Sequence, residues 1–274
     1  MTGSGDRSSD GWGVPPGGVD VRRPNSARMY DYYLGGSANF AVDREAAEAG
    51  LSAMPYARDY AVANRAFLRR AVAYLLEQGV GQFLDLGSGI PTVGNVHEIA
   101  HQQDPRARIA YVDHEPVAVA HAQALLEGDE LVSIDQADIR RPDEVLNAPG
   151  VARLDFHRPV GVLAVAILPF VPDQQEATAL TAAYRRACAP GSHLAVTHIS
   201  QLAASSEQVA AAEEVMAQTP TPVRWRGPEE IAELLHGYEL VEPGLVPTAS
   251  WRPERAPTED EVARANAYAA VGRC

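Results

Sequence analysis

The chain has 274 residues, 46% hydrophobic and 22% charged, enough apolar material for one large domain or two small ones and too much for a disordered chain. Its 36 acidic residues against 23 basic ones leave a formal charge of −13, an average field that repels a phosphate backbone. The basic residues are all arginines, and they gather only as the pairs Arg22-Arg23, Arg69-Arg70, Arg140-Arg141 and Arg185-Arg186. No nucleic-acid partner is expected. The longest apolar run, Val160 to Leu168, is far shorter than the ~20 residues of a membrane helix, and the start of the chain has no secretory pattern. Two cysteines, Cys188 and Cys274, make no disulfide framework or metal-ligand spacing and suit a reducing cytoplasm.

Residues 1–20 hold six Gly, two Pro and three Ser and read as a mobile tail. Residues 21–79 read as a helical preface. A first helix precedes Gly35-Gly36, a second starts near Asp43, and a third runs from Ala57 to Gln78. In the third, Phe67, Leu68, Ala71, Val72, Leu75 and Leu76 form one stripe at 3.6-residue spacing, with Gly79 as the stop.

From residue 80 to 274, strand and helix alternate. Strands are expected at Gln82–Leu86, Arg108–Val112, Glu130–Ile134, Pro159–Leu168, Ser192–Ile199, Tyr238–Val246 and Tyr268–Gly272. Helices are expected after Thr92, from Pro116, from Pro142, over Gln174–Ala189, after Ser205 with its capping partner Gln208, and over Pro228–His236. This alternation predicts an α/β, Rossmann-like doubly wound fold with a mostly parallel sheet.

The most informative segment is Phe83-Leu84-Asp85-Leu86-Gly87-Ser88-Gly89. A strand entering two glycines and then a helix lets backbone approach a nucleotide at the carboxyl end of a sheet. The third glycine of a dinucleotide fingerprint would fall at Thr92 and is missing. Asp85 stands at the mouth of the loop, where a carboxylate repels a pyrophosphate but attracts an ammonium or sulfonium. S-adenosylmethionine carries both. Asp113 closes the second strand and can accept ribose hydroxyls, with His114 beside the adenine. Asp138, after the third strand, can accept from the adenine amine while Ile139 packs the ring.

FLDLGSGIPT, YVDHEP, QADIR, VLAVAILPFVPD and APGSHL stand in the order and spacing of a class I S-adenosylmethionine-dependent methyltransferase. With ARMYDYYLGGSANFAVDREAAE, EPGLVP and WRP, the chain from Pro24 onward resembles one family of S-adenosyl methyltransferases, mostly of unassigned substrate. The resemblance implies a seven-stranded sheet whose last strand inserts antiparallel. It implies cofactor contacts at Asp85, Gly87, Gly89, Asp113 and Asp138, with Ser88 and Ala166 in the same site. Pro169 departs from the histidine expected before Phe170.

Catalytic groups are harder to read. In-line methyl transfer rests on proximity and orientation, and an amine nucleophile needs no strong base. His198 and Tyr30 are the candidates, His198 because it ends the fifth strand. Tyr30 and Asn39, flanking Gly35-Gly36, are expected to fold over the methionine end of the cofactor as part of a lid bending at the glycines. The expected partner is a small-molecule methyl acceptor. A non-catalytic protein that binds the adenosyl cofactor or its product is one alternative. An NAD(P)-dependent oxidoreductase is another, disfavoured by Asp85 and by the absence of any Tyr-x-x-x-Lys pair.

Overall fold

A computed structural model describes residues 21–91 and 94–274. The tail at 1–20 and the helix cap expected at Thr92 lie outside the described residues.

Apolar segments with few polar interruptions form β1 (Gln82–Leu86), β2 (Arg108–Asp113), β3 (Val132–Gln136), β4 (Gly161–Val165) and β5 (His193–Ile199). They lie parallel in the order β3-β2-β1-β4-β5. All five residues of β1 are buried, as a strand covered on both faces requires. Two further strands, β6 (Glu239–Leu240) and β7 (Val246–Pro247), pair antiparallel with the last, β8 (Ala267–Arg273). β8 itself inserts antiparallel beside β5, from His193–Arg273 to Ile199–Ala267. The sheet therefore has eight strands where seven were expected. The strand expected over Tyr238–Val246 is broken because Pro243 has no amide for a ladder and Gly244 turns the chain with φ +83°.

Helices α1 (Ser26–Tyr33), α2 (Ala41–Ala53) and α3 (Ala57–Glu77) precede the sheet. Along the chain follow α4 (Val96–Gln103), α5 (Pro116–Leu125), α6 (Pro142–Leu146), α7 (Gln174–Ala187), α8 (Ser206–Met216), α9 (Pro228–Leu234) and α10 (Glu259–Arg264). On one face of the sheet, Leu84, Leu86, Val112 and Val162 pack with Leu180 and Tyr184 of α7 and Leu234 of α9. On the other, Phe83, Ile109 and Leu163 meet Phe67, Leu68, Val72 and Leu75 of α3. The stripe read from the sequence is thus the face α3 buries, and fully burying each such side chain stabilises by roughly 1.5–3 kcal/mol. Among the described residues no helix is long and apolar enough to cross a membrane.

The N-terminal helices are fastened by buried polar contacts. Arg28 Nε pairs with Asp43 at 2.7 Å, both side chains nearly inaccessible. The Asp43 carboxylate also accepts from the amides of Asn25 and Phe40, each at 2.9 Å. Asn25 caps α1 through the Ala27 amide and donates to Glu115 at the start of α5 at 2.6 Å. α1 is thereby tied to the strand-end side of the sheet, above the crevice. Gly35 ends α1 with φ +79°, and a Cβ on Gly36 would fall on the Asp31 carboxylate. Both glycines are required by this closed turn, a packing reason that the hinge expectation did not include.

Candidate active site

The strand order reverses between β1 and β4, which opens a crevice at the carboxyl ends of the strands. The loop after β1 is pinned to β2, because the amides of Gly87 and Ser88 donate to the Val112 carbonyl at 2.8 and 3.1 Å. The Gly89 amide donates to Asp113 Oδ2 at 2.7 Å, and the Glu115 amide donates to Oδ1 at 2.8 Å. Gly87 and Gly89 sit at φ +69° and +64°, in the left-handed region. A Cβ on Gly87 would overlap the Ile167 side chain, whereas one on Gly89 would meet no protein atom within 4 Å. Gly87 is needed for packing. Gly89 leaves backbone facing open space.

That space is a cavity. Asp85, Gly87, Ser88, Gly89, Asp113 and His114 line its strand-end wall, joined by Ala166 from the end of β4. Ala166 is held at φ +58°, its amide donating to Thr197 Oγ1 at 2.9 Å, a strained geometry of the kind that collects at functional sites. Met29, Tyr30, Asp31 and Tyr33 of α1 and Arg65 of α3 form the cover. Beyond the ends of β1 and β2 the lining is Met54, Phe170, Ile199 at the end of β5, Met216, Val223 and Trp225. Most of these apolar side chains belong to one cluster with Ala57, Tyr33 and Tyr60.

The two carboxylates differ in their surroundings. Asp113 is buried, which raises its pKa, while its two backbone donors oppose the rise. Asp85 is 7% exposed and its side chain makes no hydrogen bond among the described residues. Burial pushes its pKa up to about 7, opposed by Arg65 and reinforced by Asp113. A desolvated carboxylate facing a cavity without a partner is suited to a cationic ligand.

Eight of the expected residues meet here: Tyr30, Asp85, Gly87, Ser88, Gly89, Asp113, His114 and Ala166. Four do not. Asn39 is 3% exposed, donates to Asp31 Oδ2 at 2.8 Å and to the Gly36 carbonyl at 3.0 Å, and closes the turn after α1 instead of facing the cavity. Asp138 is clasped by Arg140, whose Nε lies 3.0 Å from each oxygen. Ile139 is a core residue whose carbonyl accepts from the Tyr184 hydroxyl at 3.1 Å. His198 is inaccessible and is not among the residues lining the cavity, with Nδ1 2.8 Å from the Ile199 carbonyl. Arg226 donates to its Nε2 at 2.8 Å. Nδ1 must carry the proton in that arrangement, and burial lowers the His198 pKa to about 3. It is a neutral structural histidine, not a base. Pro169, in place of the expected histidine, lines the cavity and its carbonyl accepts from the Arg224 amide at 2.9 Å, next to Trp225.

The family described as S-adenosyl methyltransferase matches residues 14–274. The chain belongs to that family. It is an S-adenosylmethionine-dependent methyltransferase, and membership favours methyl transfer over the oxidoreductase alternative. It is similar to a crystallised methyltransferase candidate from Thermobifida fusca YX, at 38% identity and TM-score 0.87 over 94% of this chain and 98% of that one. It is similar also to a DUF574-family protein from Streptomyces avermitilis MA-4680, at 36% identity and TM-score 0.86 over 93% and 98% of the two chains. A 95-residue stretch is 35% identical to the ribosomal RNA small subunit methyltransferase H of Bordetella avium strain 197N. That match spans 34% of this methyltransferase and about a quarter (26%) of the relative's length.

Sequence reading missed Arg65. It had a signal, because positions 61, 65, 68 and 72 share one helical face, and Ala61, Leu68 and Val72 are buried. An arginine in that stripe points inward.

Proposed function

We propose that this methyltransferase holds S-adenosylmethionine along the strand-end wall and transfers its methyl group to a small, largely apolar acceptor in the adjoining part of the cavity. The observation that carries the reading is the pair Asp85 and Asp113, two buried carboxylates either side of a glycine loop and facing one cavity. The residues fit the group. Asp85 would take its ammonium, Asp113 still has lone pairs for ribose hydroxyls, and the bare backbone at Gly89 admits close approach. When bound, S-adenosylmethionine supplies a methyl group activated by a sulfonium.

The chain's own contribution is positioning and exclusion of water. Tyr30 and Tyr33 of α1 cover the cavity, with Ser88, His114 and Ala166 completing its wall. Tyr30 is fixed by donation from its hydroxyl to the Ala61 carbonyl at 3.1 Å. Burial raises the pKa of Tyr30, and that of Tyr33 to about 12, so neither hydroxyl is a base at neutral pH. The apolar lining at Met54, Phe170, Ile199, Met216, Val223 and Trp225 supplies no acid or base. An acceptor with a neutral amine, or a phenol that ionises on its own, suits such a chamber.

The charge of −13 supports a small acceptor over RNA. Transfer of radiolabelled methyl from S-adenosylmethionine into a cell extract, fractionated into small molecules, protein and RNA, tests this. Label is expected among the small molecules; label on RNA or protein would overturn the acceptor class.

A further inference from the structure

We propose that Arg65 binds the carboxylate at the methionine end of the methyl donor, opposite Asp85, so that the two side chains together read an amino-acid zwitterion. The proposal rests on the cofactor site described above and adds a recognition element that neither the glycine loop nor Asp113 provides. Arg65 lines the same cavity as Asp85, Gly87 and Ser88, on the inward face of α3 beside the fully buried Asn64. Its Nε is buried without a hydrogen-bond partner. Among the described residues its half-buried guanidinium makes no ion pair, whereas the buried Arg28 of α1 is paired with Asp43. Leaving such a donor unmatched in a folded chain is costly.

A purely structural Arg65 would neutralise the acidic groups around it. Asp31 and Asp85 both feel its charge, yet neither closes on it, and Asp85 keeps a pKa raised to about 7. The arrangement holds opposite charges apart across one cavity. A ligand with an ammonium and a carboxylate on one carbon satisfies both at once. The planar guanidinium fork matches a carboxylate in two-point contact, which an ammonium side chain would not.

Calorimetry on the full chain with two ligands tests the proposal. S-adenosylhomocysteine carries the amino-acid end; 5′-methylthioadenosine has the same adenosine and thioether without it. Arg65→Met should weaken S-adenosylhomocysteine by at least about tenfold and leave 5′-methylthioadenosine within about twofold, and Arg65→Lys should recover part of the loss. Retained 5′-methylthioadenosine binding also reports that the variant is folded. Equal losses for both ligands, or no loss for S-adenosylhomocysteine, would overturn the assignment. Wild-type protein that binds neither ligand would instead overturn the cofactor site itself.

Discussion

Asp113 Oδ2 accepts the Gly89 amide at 2.7 Å, so the carboxylate assigned to the ribose also holds the glycine loop in place. Its second oxygen accepts from Glu115 at the entrance to α5. One side chain at the end of β2 therefore sets the positions of two segments of the cavity wall. Asp113→Ala should weaken S-adenosylhomocysteine by about 1–3 kcal/mol, through lost charge-assisted hydrogen bonds and a loosened loop. Calorimetry measures it; unchanged affinity would place the ribose elsewhere.

The two loop glycines should separate folding from binding. Gly87→Ala forces a Cβ into Ile167 and should lower stability in thermal melts. Gly89→Ala meets no protein atom within 4 Å and bears only backbone strain of about 1–2 kcal/mol. Its Cβ would project where the ligand is placed. Gly89→Ala should therefore remain folded and lose S-adenosylhomocysteine affinity by at least about tenfold. The same affinity in that variant would show that nothing approaches the backbone there.

Asp85 gives a pH dependence whose sign follows from its raised pKa of about 7. A cationic ligand needs the carboxylate, so affinity should rise as pH increases through about 7, with a proton released on binding below that pH. For the ligand-free protein the sign is opposite. A carboxyl with a raised folded pKa contributes stability that is present below the ordinary carboxylate range and lost as pH rises through about 7. Asp85→Asn should raise the Tm by at least about 2 °C at pH 8, change it little near pH 4, and abolish the pH-dependent part of binding. A flat affinity profile from pH 6 to 8 would remove Asp85 from the ammonium site.

His198 should be silent in catalysis. Its removal leaves the buried Arg226 short of an acceptor, so His198→Ala is expected to lose about 1–3 kcal/mol of stability. Affinity for S-adenosylhomocysteine should stay within about twofold, a span of about 0.4 kcal/mol. A selective loss of turnover in folded protein would restore it as a catalytic candidate.

What the sequence disclosed depended on how local the cause was. β1 has the expected limits, Gln82–Leu86, because an apolar run meets a glycine at residue 87. The Ser205–Gln208 capping box is present because its partners are three residues apart. The glycine loop with Asp85 and Asp113 was legible for the same reason, as strand ends followed by helix starts. His198 was misread because its decisive neighbour, Arg226, comes from a segment 28 residues away. Asp138 looked available because a sequence does not show that Arg140, two residues on, folds back onto it. Gly35-Gly36 suggested a hinge because the close approach of Gly36 to Asp31 exists only after the turn closes. Arg65 shares a helical face with Ala61, Leu68 and Val72, but the cavity it lines is built with Asp31 and Asp85, 34 and 20 residues away in sequence.

The most direct test of the site is a crystal structure of the protein grown with S-adenosylhomocysteine. The ligand is expected in the cavity at the ends of β1 and β2, its ammonium at Asp85, its ribose hydroxyls at Asp113 and its sulfur turned toward the apolar chamber. A ligand bound outside this cavity, or in it with neither carboxylate in contact, would overturn the assignment of Asp85 and Asp113 to the cofactor.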